Sequence, residues 1–395
     1  MTPIIDERAN RQGQPGLHVF IVGISAYPHL PRRTEPTTPA SFGMRQLSST
    51  ALTAYKVFRW VEAQRGDYPV PLTTCRLLLS PCQEELAMEP HMEGLADPAT
   101  LDHFMTSAHE WREDASAHQG NVTLFYFAGH GVQRRKNDAI ILLQGFGDGR
   151  GAALRHGVEV QDLFYGMAPS PSRPNIARKQ LYFIDACRNT PSQFRDLQEL
   201  KAAAFWDIER SGRDDRAAPI YYAALEGSKA YALRGEQTVF GKALLHCLDR
   251  AVEDPEEDEE GNLIWPTTVY SLNKMLDDYF DSLDPIDKAD QDFCPEGIAK
   301  DFAIYVSTQP PMVDVEIQVR PPEALGVAKL EIRNARDQLE RDLPLPLPSH
   351  PFKVELQAGT YGVKATIIPP TPPFVEYSRY RPVKPPRVDW KVRVV

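Results

Sequence analysis

The chain has 395 residues, 42% of them hydrophobic, which is ample material for a large core and more length than one domain usually takes. Its 44 Lys and Arg stand against 54 Asp and Glu, and a net charge of −10 would repel a phosphate backbone, so nucleic acid is not an expected partner. The longest apolar runs, His18–Ile24 and Ala139–Leu143, are strand-sized and too short to span a bilayer, so no membrane helix is expected.

In chain order, the opening Met1-Thr-Pro-Ile-Ile-Asp-Glu carries acids and no apolar stretch of signal-peptide length, which points to a cytoplasmic protein. A first strand is predicted near 18–25. From Phe42 to Ala63 the apolar residues Leu47, Ala51, Ala54, Tyr55, Phe58 and Val61 fall at helical spacing and predict a crossover helix. Further strands are predicted near 75–80, 121–128, 180–186 and 219–225. Asp97 with Pro98 marks the start of a second helix whose inner stripe is Leu101, Phe104, Met105 and Ala108. Val158–Met167 and Phe240–Val252 read as two more. Short β-branched runs alternating with amphipathic segments are the pattern of an α/β fold around a mainly parallel sheet. The acidic run 253–260 has no apolar residue to bury and reads as a solvated loop, although its carboxylates would also suit calcium.

After about Thr308 prolines crowd in pairs between alternating segments such as Val313–Val319, Ala328–Ile332, Phe352–Leu356, Tyr361–Ile367 and Val388–Val394. Period-two patterns broken by turns predict a small antiparallel β-sandwich. Phe352-Lys-Val-Glu-Leu-Gln-Ala-Gly-Thr-Tyr-Gly-Val resembles the strands of transthyretin-like or immunoglobulin-like accessory domains. Two domains follow: 1–308, which holds the chemistry, and 309–395, which carries no chemical motif and is expected to serve contact with a protein partner, oligomerisation or substrate presentation.

Two segments carry chemistry. The third strand feeds into Ala128-Gly-His-Gly131, and the fourth ends in Asp185-Ala-Cys-Arg188. In an open α/β sheet, ligands and catalytic side chains collect at the carboxyl ends of the strands. If these strands are neighbours, His130 and Cys187 share one crevice and supply the base and nucleophile for covalent attack on a carbonyl. Five cysteines without CxxC spacing argue against a disulfide framework or a Cys-rich zinc site, so Cys187 is read as a reduced thiol. Cys75, Cys82, Cys247 and Cys294 lack such a setting and read as structural. No Gly-rich phosphate loop follows the first strand, where Ser25-Ala-Tyr-Pro-His29 stands instead, which argues against a nucleotide.

Phe127-Ala-Gly-His-Gly131, with Asp185-Ala-Cys-Arg188 following at close to the spacing of about 50 residues seen in caspases, resembles the caspase, metacaspase and paracaspase superfamily. Gly23-Ile-Ser-Ala-Tyr27, Tyr221–Tyr231 and Val239–Leu245 resemble further parts of that family, so the likeness covers roughly 17–308. It implies a caspase-like sandwich acting as a cysteine endopeptidase, with no cofactor required and calcium activation as a family option. It also implies a catalytic Cys187–His130 dyad, with the amides of Gly131 and Cys187 as oxyanion hole. Asp185 stands where caspases that cut after Asp carry Gln, which implies a preference for Arg or Lys before the scissile bond, with Glu226 as a second pocket acid. Thr53 and Lys229 stand where relatives carry further acids. By the same analogy the polar Arg210–Arg216 loop is a candidate self-cleavage site. A prokaryotic member would act in regulated proteolysis or defence-linked cell death. The alternative reading is a catalytically silent caspase-like scaffold.

Overall fold

A computed structural model describes residues 3–11, 13–32, 34–135, 138–196, 200–209, 214–232, 235–252, 254–284, 291–343, 345–347 and 351–395. The chain divides into two compact units: Met1–Leu245 with Tyr279–Phe302, and His246–Asp278 with Ala303–Val395.

The first unit is built from β1 (Ile5–Asp6), β2 (Leu17–Ile24), α1 (Thr50–Ala63), β3 (Leu72–Ser80), α2 (Gln83–Met88), α3 (Leu101–Ser116), β4 (Val122–Ala128), β5 (Gly131–Gln133), β6 (Ala139–Leu142), β7 (Gly157–Glu159), α4 (Val160–Gly166), β8 (Lys179–Asp185) and β9 (Ala218–Tyr222). Its seven-stranded sheet has the order β1-β3-β2-β4-β8-β9 followed by the edge strand Cys294–Ile298. The pairs from β3 through β9 are parallel, and the two edges, β1 and Cys294–Ile298, are antiparallel. Every residue of β2, β3 and β4 is buried, as strands covered on both faces must be.

Side chains alternate across the sheet, and the two helices divide its faces. Phe104, Ala108, Trp111 and Ala115 of α3 pack with Phe20, Val22 and Phe125 in one core. The opposite face meets α1 at Gly23, where a Cβ would stand 2.4 Å from that of Ala54. Gly23 is therefore a site of close helix approach, and any side chain there would push α1 away.

Several helix boundaries differ from the sequence expectation. The crossover helix begins at Thr50, not at Phe42, because a 3-10 turn at Pro39–Ser41 ends on Phe42 with φ +51°. Its first turn is held by Glu85, which is buried and accepts hydrogen bonds from Leu52 N at 2.9 Å, Cys82 N at 2.9 Å and Ser25 Oγ at 2.7 Å. The second helix begins at Leu101, capped by Thr100 accepting from His103 N, because Asp97 is used by the sheet: its carbonyl accepts from Leu79 N at 3.0 Å. Val158 and Glu159, expected at the start of a helix, belong to the strand β7.

In the second unit, Glu256–Glu257 pairs with Leu263–Ile264, so the expected acidic loop is a hairpin, its turn tied by Asp258 Oδ1 accepting from Glu260 N and Asn262 N. The acidic run was expected to stand between two helices, and the helix that follows it is Val269–Ser282. The C-terminal strands form a three-stranded sheet centred on Met312–Arg320 and a four-stranded sheet containing Ala328–Asn334 and Gly359–Ile367. Both contribute to one core around Trp390, Val315, Ile332 and Val363. The expected all-antiparallel sandwich is corrected at one pair: Met312–Arg320 runs parallel to Arg387–Arg393. Among the described residues, no helix is long and apolar enough to cross a membrane.

Candidate active site

β4 and β8 are neighbours, paired in parallel with Ala128 opposite Asp185. His130 and Cys187 therefore leave the sheet at the same level of its carboxyl edge. Gly129 N donates to Asp185 O at 3.2 Å and ties the two strand ends together. The turn tolerates no added side chain, since a Cβ on Gly129 would lie 2.7 Å from Tyr27 Oη and one on Gly131 2.6 Å from Cys187 O.

His130 is fixed at backbone and ring. Its N–H donates to Tyr27 Oη at 2.8 Å, and that hydroxyl donates to Leu142 O at 3.0 Å. The Tyr27 and His130 rings lie 4.8 Å apart between centroids. His130 Nε2 is 2.7 Å from Arg45 O. A carbonyl only accepts, so Nε2 carries the proton and Nδ1 presents its lone pair. Burial lowers the imidazole pKa to about 4, so the ring is neutral at pH 7.

Cys187 Sγ meets the backbone of Ala230, accepting from its N–H at 3.3 Å and donating to its carbonyl at 3.7 Å. Burial raises the thiol pKa, opposed by the Ala230 N–H and the Lys229 ammonium. The segment that carries Ala230 is anchored next door, where Arg188 N donates to Ser228 O at 2.9 Å and Gly227 N to Arg188 O at 3.0 Å. Leu142 N donates to His130 O, and the alternation of an antiparallel pair then directs the Gly131 N–H away from β6.

His130 and Cys187 line a cavity of about 290 Å³ together with Asp185, Leu47, Tyr231 and Thr238. Asp185 is the acid in its wall. Its Oδ2 accepts from Tyr126 Oη at 2.9 Å and from Thr238 Oγ1, while Oδ1 is buried and has no hydrogen-bond partner among the described residues. Burial is the largest influence on the carboxyl and raises its pKa to about 6. Thr53 does not line the cavity; it accepts from Thr238 N at 2.9 Å and so holds the hydroxyl that holds Asp185. Gly241 is required beneath them, because a Cβ there would lie 2.1 Å from Thr53 Cγ2.

Two expectations are corrected. Glu226 is not in the wall of this cavity: it is exposed, with its carboxylate 3.6 Å from Arg188, which is fully buried, bonded to Glu296 at 2.8 Å and stacked 4.0 Å over Tyr222. Arg216, taken as the end of a cleavable loop, is buried, paired with Asp214 at 2.7 Å and bonded to Gln180 Oε1 at 2.9 Å, and is therefore out of reach of a protease. Arg210–Arg213 lie outside the described residues. The sequence reading also missed Tyr27, Thr238, Ala230 and the Arg45 carbonyl as site components.

A family model described as Caspase domain matches residues 78–284. A probable protease from a Desulfuromonadales bacterium is 24% identical over 361 residues, covering 85% of this chain and 40% of its own, so this chain spans about two fifths of that relative. Among solved structures, a Geobacter sulfurreducens protein gives a TM-score of 0.40 at 12% identity, covering 72% of this chain and 95% of that one. Caspase-1 from Spodoptera frugiperda gives 0.38 at 12% identity, covering 74% and 92%. A mainly parallel sheet flanked by helices, with Gly-His-Gly and Asp-Ala-Cys turns at neighbouring strand ends, defines a caspase-like α/β protein. The chain belongs to the caspase domain family.

Proposed function

We propose that this chain is a cysteine endopeptidase that cleaves after Arg or Lys, with Cys187 as nucleophile and His130 as proton carrier. The observation that carries the reading is the cavity in which a histidine and a cysteine share a wall with a buried carboxylate whose Oδ1 has no hydrogen-bond partner among the described residues. A guanidinium or ammonium entering that cavity would give Asp185 the charge-assisted hydrogen bond it lacks.

In the proposed reaction His130 Nδ1 takes the thiol proton as Sγ attacks the scissile carbonyl, while Nε2–H stays on Arg45 O. The amides of Gly131 and Cys187 receive the developing oxyanion, an effect usually worth about 10²–10³ in rate per donor. The tetrahedral intermediate collapses as Nδ1–H protonates the leaving amine, and a thioester remains on Cys187. Water, deprotonated by Nδ1, then attacks the thioester and releases the acid, and Sγ leaves protonated. Thiol and imidazole that are both neutral at rest suit this sequence, since no proton has to be stored before substrate arrives.

The test is a fluorogenic peptide panel with Arg, Lys or Asp before the scissile bond, run with wild type and Cys187→Ala, with and without calcium. Hydrolysis after Arg or Lys that is lost in Cys187→Ala is expected. Hydrolysis after Asp would overturn the role given to Asp185, and silence under every condition would favour a scaffold.

A further inference from the structure

A second cavity, of about 490 Å³, meets the first at His130 and Cys187. Its walls are the 42–47 loop, the 189–193 loop and Lys229. They are built rather than loose. Phe42 packs edge-on to Phe194 with centroids 5.3 Å apart. Thr190 Oγ1 donates to Gln133 O at 2.6 Å, and Gln133 N to Asn189 O at 3.1 Å. The Arg45 carbonyl holds His130, while its Nε donates to Glu35 O at 3.1 Å and aligns the side chain.

The two cavities have opposite charge. Asp185 is the only charged residue among the described lining of the first, and Arg45 and Lys229 are the only charged residues in that of the second. The acid nearest in sequence to Arg45, Glu35, turns its carboxylate to Arg32 N at 2.8 Å. A peptide lying across Cys187 must place the residue before its scissile bond on one side and the residue after it on the other. With the basic side chain on Asp185, the departing segment crosses the cationic cavity.

We propose that this second cavity is the leaving-group subsite and selects an acidic residue immediately after the scissile bond, Lys229 and Arg45 being the groups that recognise it. The inference rests on the peptidase reading and deepens it: the preferred substrate carries a basic residue followed by an acidic one. Lys229, read from the sequence as a defect in an acidic pocket, belongs to the other side of the bond.

The test uses quenched peptides identical through Arg and differing only in the next residue: Asp, Ala or Lys. Exposed ion pairs are individually weak, each worth a factor of about two to five, so kcat/KM is expected to favour Asp over Lys by about five- to tenfold and to level out at high salt. Lys229→Glu should reverse the order and Lys229→Arg should keep it. Because each enzyme is compared with itself, a general loss of activity does not disturb the ratio. The same peptides are bound to Cys187→Ala and followed by fluorescence anisotropy, where Asp should again bind about fivefold tighter than Lys. Equal rates and equal affinities for the three peptides, or a ratio unmoved by Lys229→Glu, overturn the subsite. Absence of any cleavage combined with tighter binding of the Asp peptide would overturn the peptidase reading and leave the subsite standing.

Discussion

At pH 7 the Cys187 thiol keeps its proton because burial disfavours the thiolate, and the His130 imidazole stays neutral because burial holds it near 4. Alkylation of Cys187 by iodoacetamide should therefore be slow at pH 7 and still be rising above about pH 10, where an ordinary thiol approaches its plateau. A plateau below pH 7, followed by mass spectrometry of the modified peptide, would contradict this. Asp185 behaves in the opposite sense to a salt-bridged carboxylate. Its folded pKa of about 6 lies above the unfolded value, so the folded state holds a proton that the unfolded state has lost, and stability falls as pH rises through that range. Asp185→Asn keeps an oxygen for Tyr126 and Thr238 and removes the buried charge. It should be more stable than wild type at pH 7.5, by up to ~3 kcal/mol for a shift of about two pKa units, and equal to it at pH 4. It should also lose its preference for Arg and Lys. Denaturant melts at the two pH values, beside the peptide panel, give both readouts. In wild type the same titration predicts that KM for basic peptides rises as pH falls below about 6.

The sheet was the most legible part of the sequence, because strands buried on both faces are written as uninterrupted apolar runs, as in Leu17–Ile24 and Val122–Ala128. Elements that depart from pattern were less so. Phe42–Leu47 continues the apolar spacing of α1 yet forms a site loop, with Phe42 and Gly43 both at positive φ. Cys294-Pro-Glu-Gly-Ile298 looks unlike a strand, but an edge position accepts Pro and Gly. His130, Cys187 and Asp185 were legible because glycines and acids mark their turns. The Arg45 carbonyl was not, since a backbone group has no residue signature, and Glu226 was misplaced because Arg188 competes for it. Glu85 binds elements rather than substrate: it joins the starts of α1 and α2 to Ser25 after β2. Glu85→Ala would leave the buried Leu52 amide and the part-buried Cys82 amide without this acceptor, at about 1–3 kcal/mol each before relaxation, while Ser25 Oγ keeps Thr50 Oγ1 at 2.9 Å. A loss of several kcal/mol in urea melts is expected, and a loss below about 1 kcal/mol would show that water replaces the carboxylate.

For the whole molecule, a boundary at 308 and the observed compact units differ in where they assign His246–Asp278 and Ala303–Thr308. His246–Asp278 belongs with the C-terminal strands, because Trp265–Thr268 pairs with Ala303–Ser307, Arg250 meets Glu355 at 2.6 Å, and Pro385 and Pro386 share a cavity wall with Ala251, Val252 and Met275. A chain ended after Thr308 would keep the pairing with Ala303–Ser307 but strip Glu355, Pro385 and Pro386 from this segment and expose part of its apolar surface. It should aggregate more readily and melt at a lower temperature than the full chain, measured by light scattering and calorimetry; identical behaviour would show that 246–278 holds its shape alone. The pairing of β4 with β8 has one more consequence, in the timing of biosynthesis. His130 emerges from the ribosome well before Cys187, and both reach their places only once β8 has docked along β4, a non-local contact that forms late. An unfinished or misfolded chain thus holds a cysteine with no imidazole beside it. On the proposed peptidase reading, the pair of residues that would cut is assembled by the finished fold and not during synthesis.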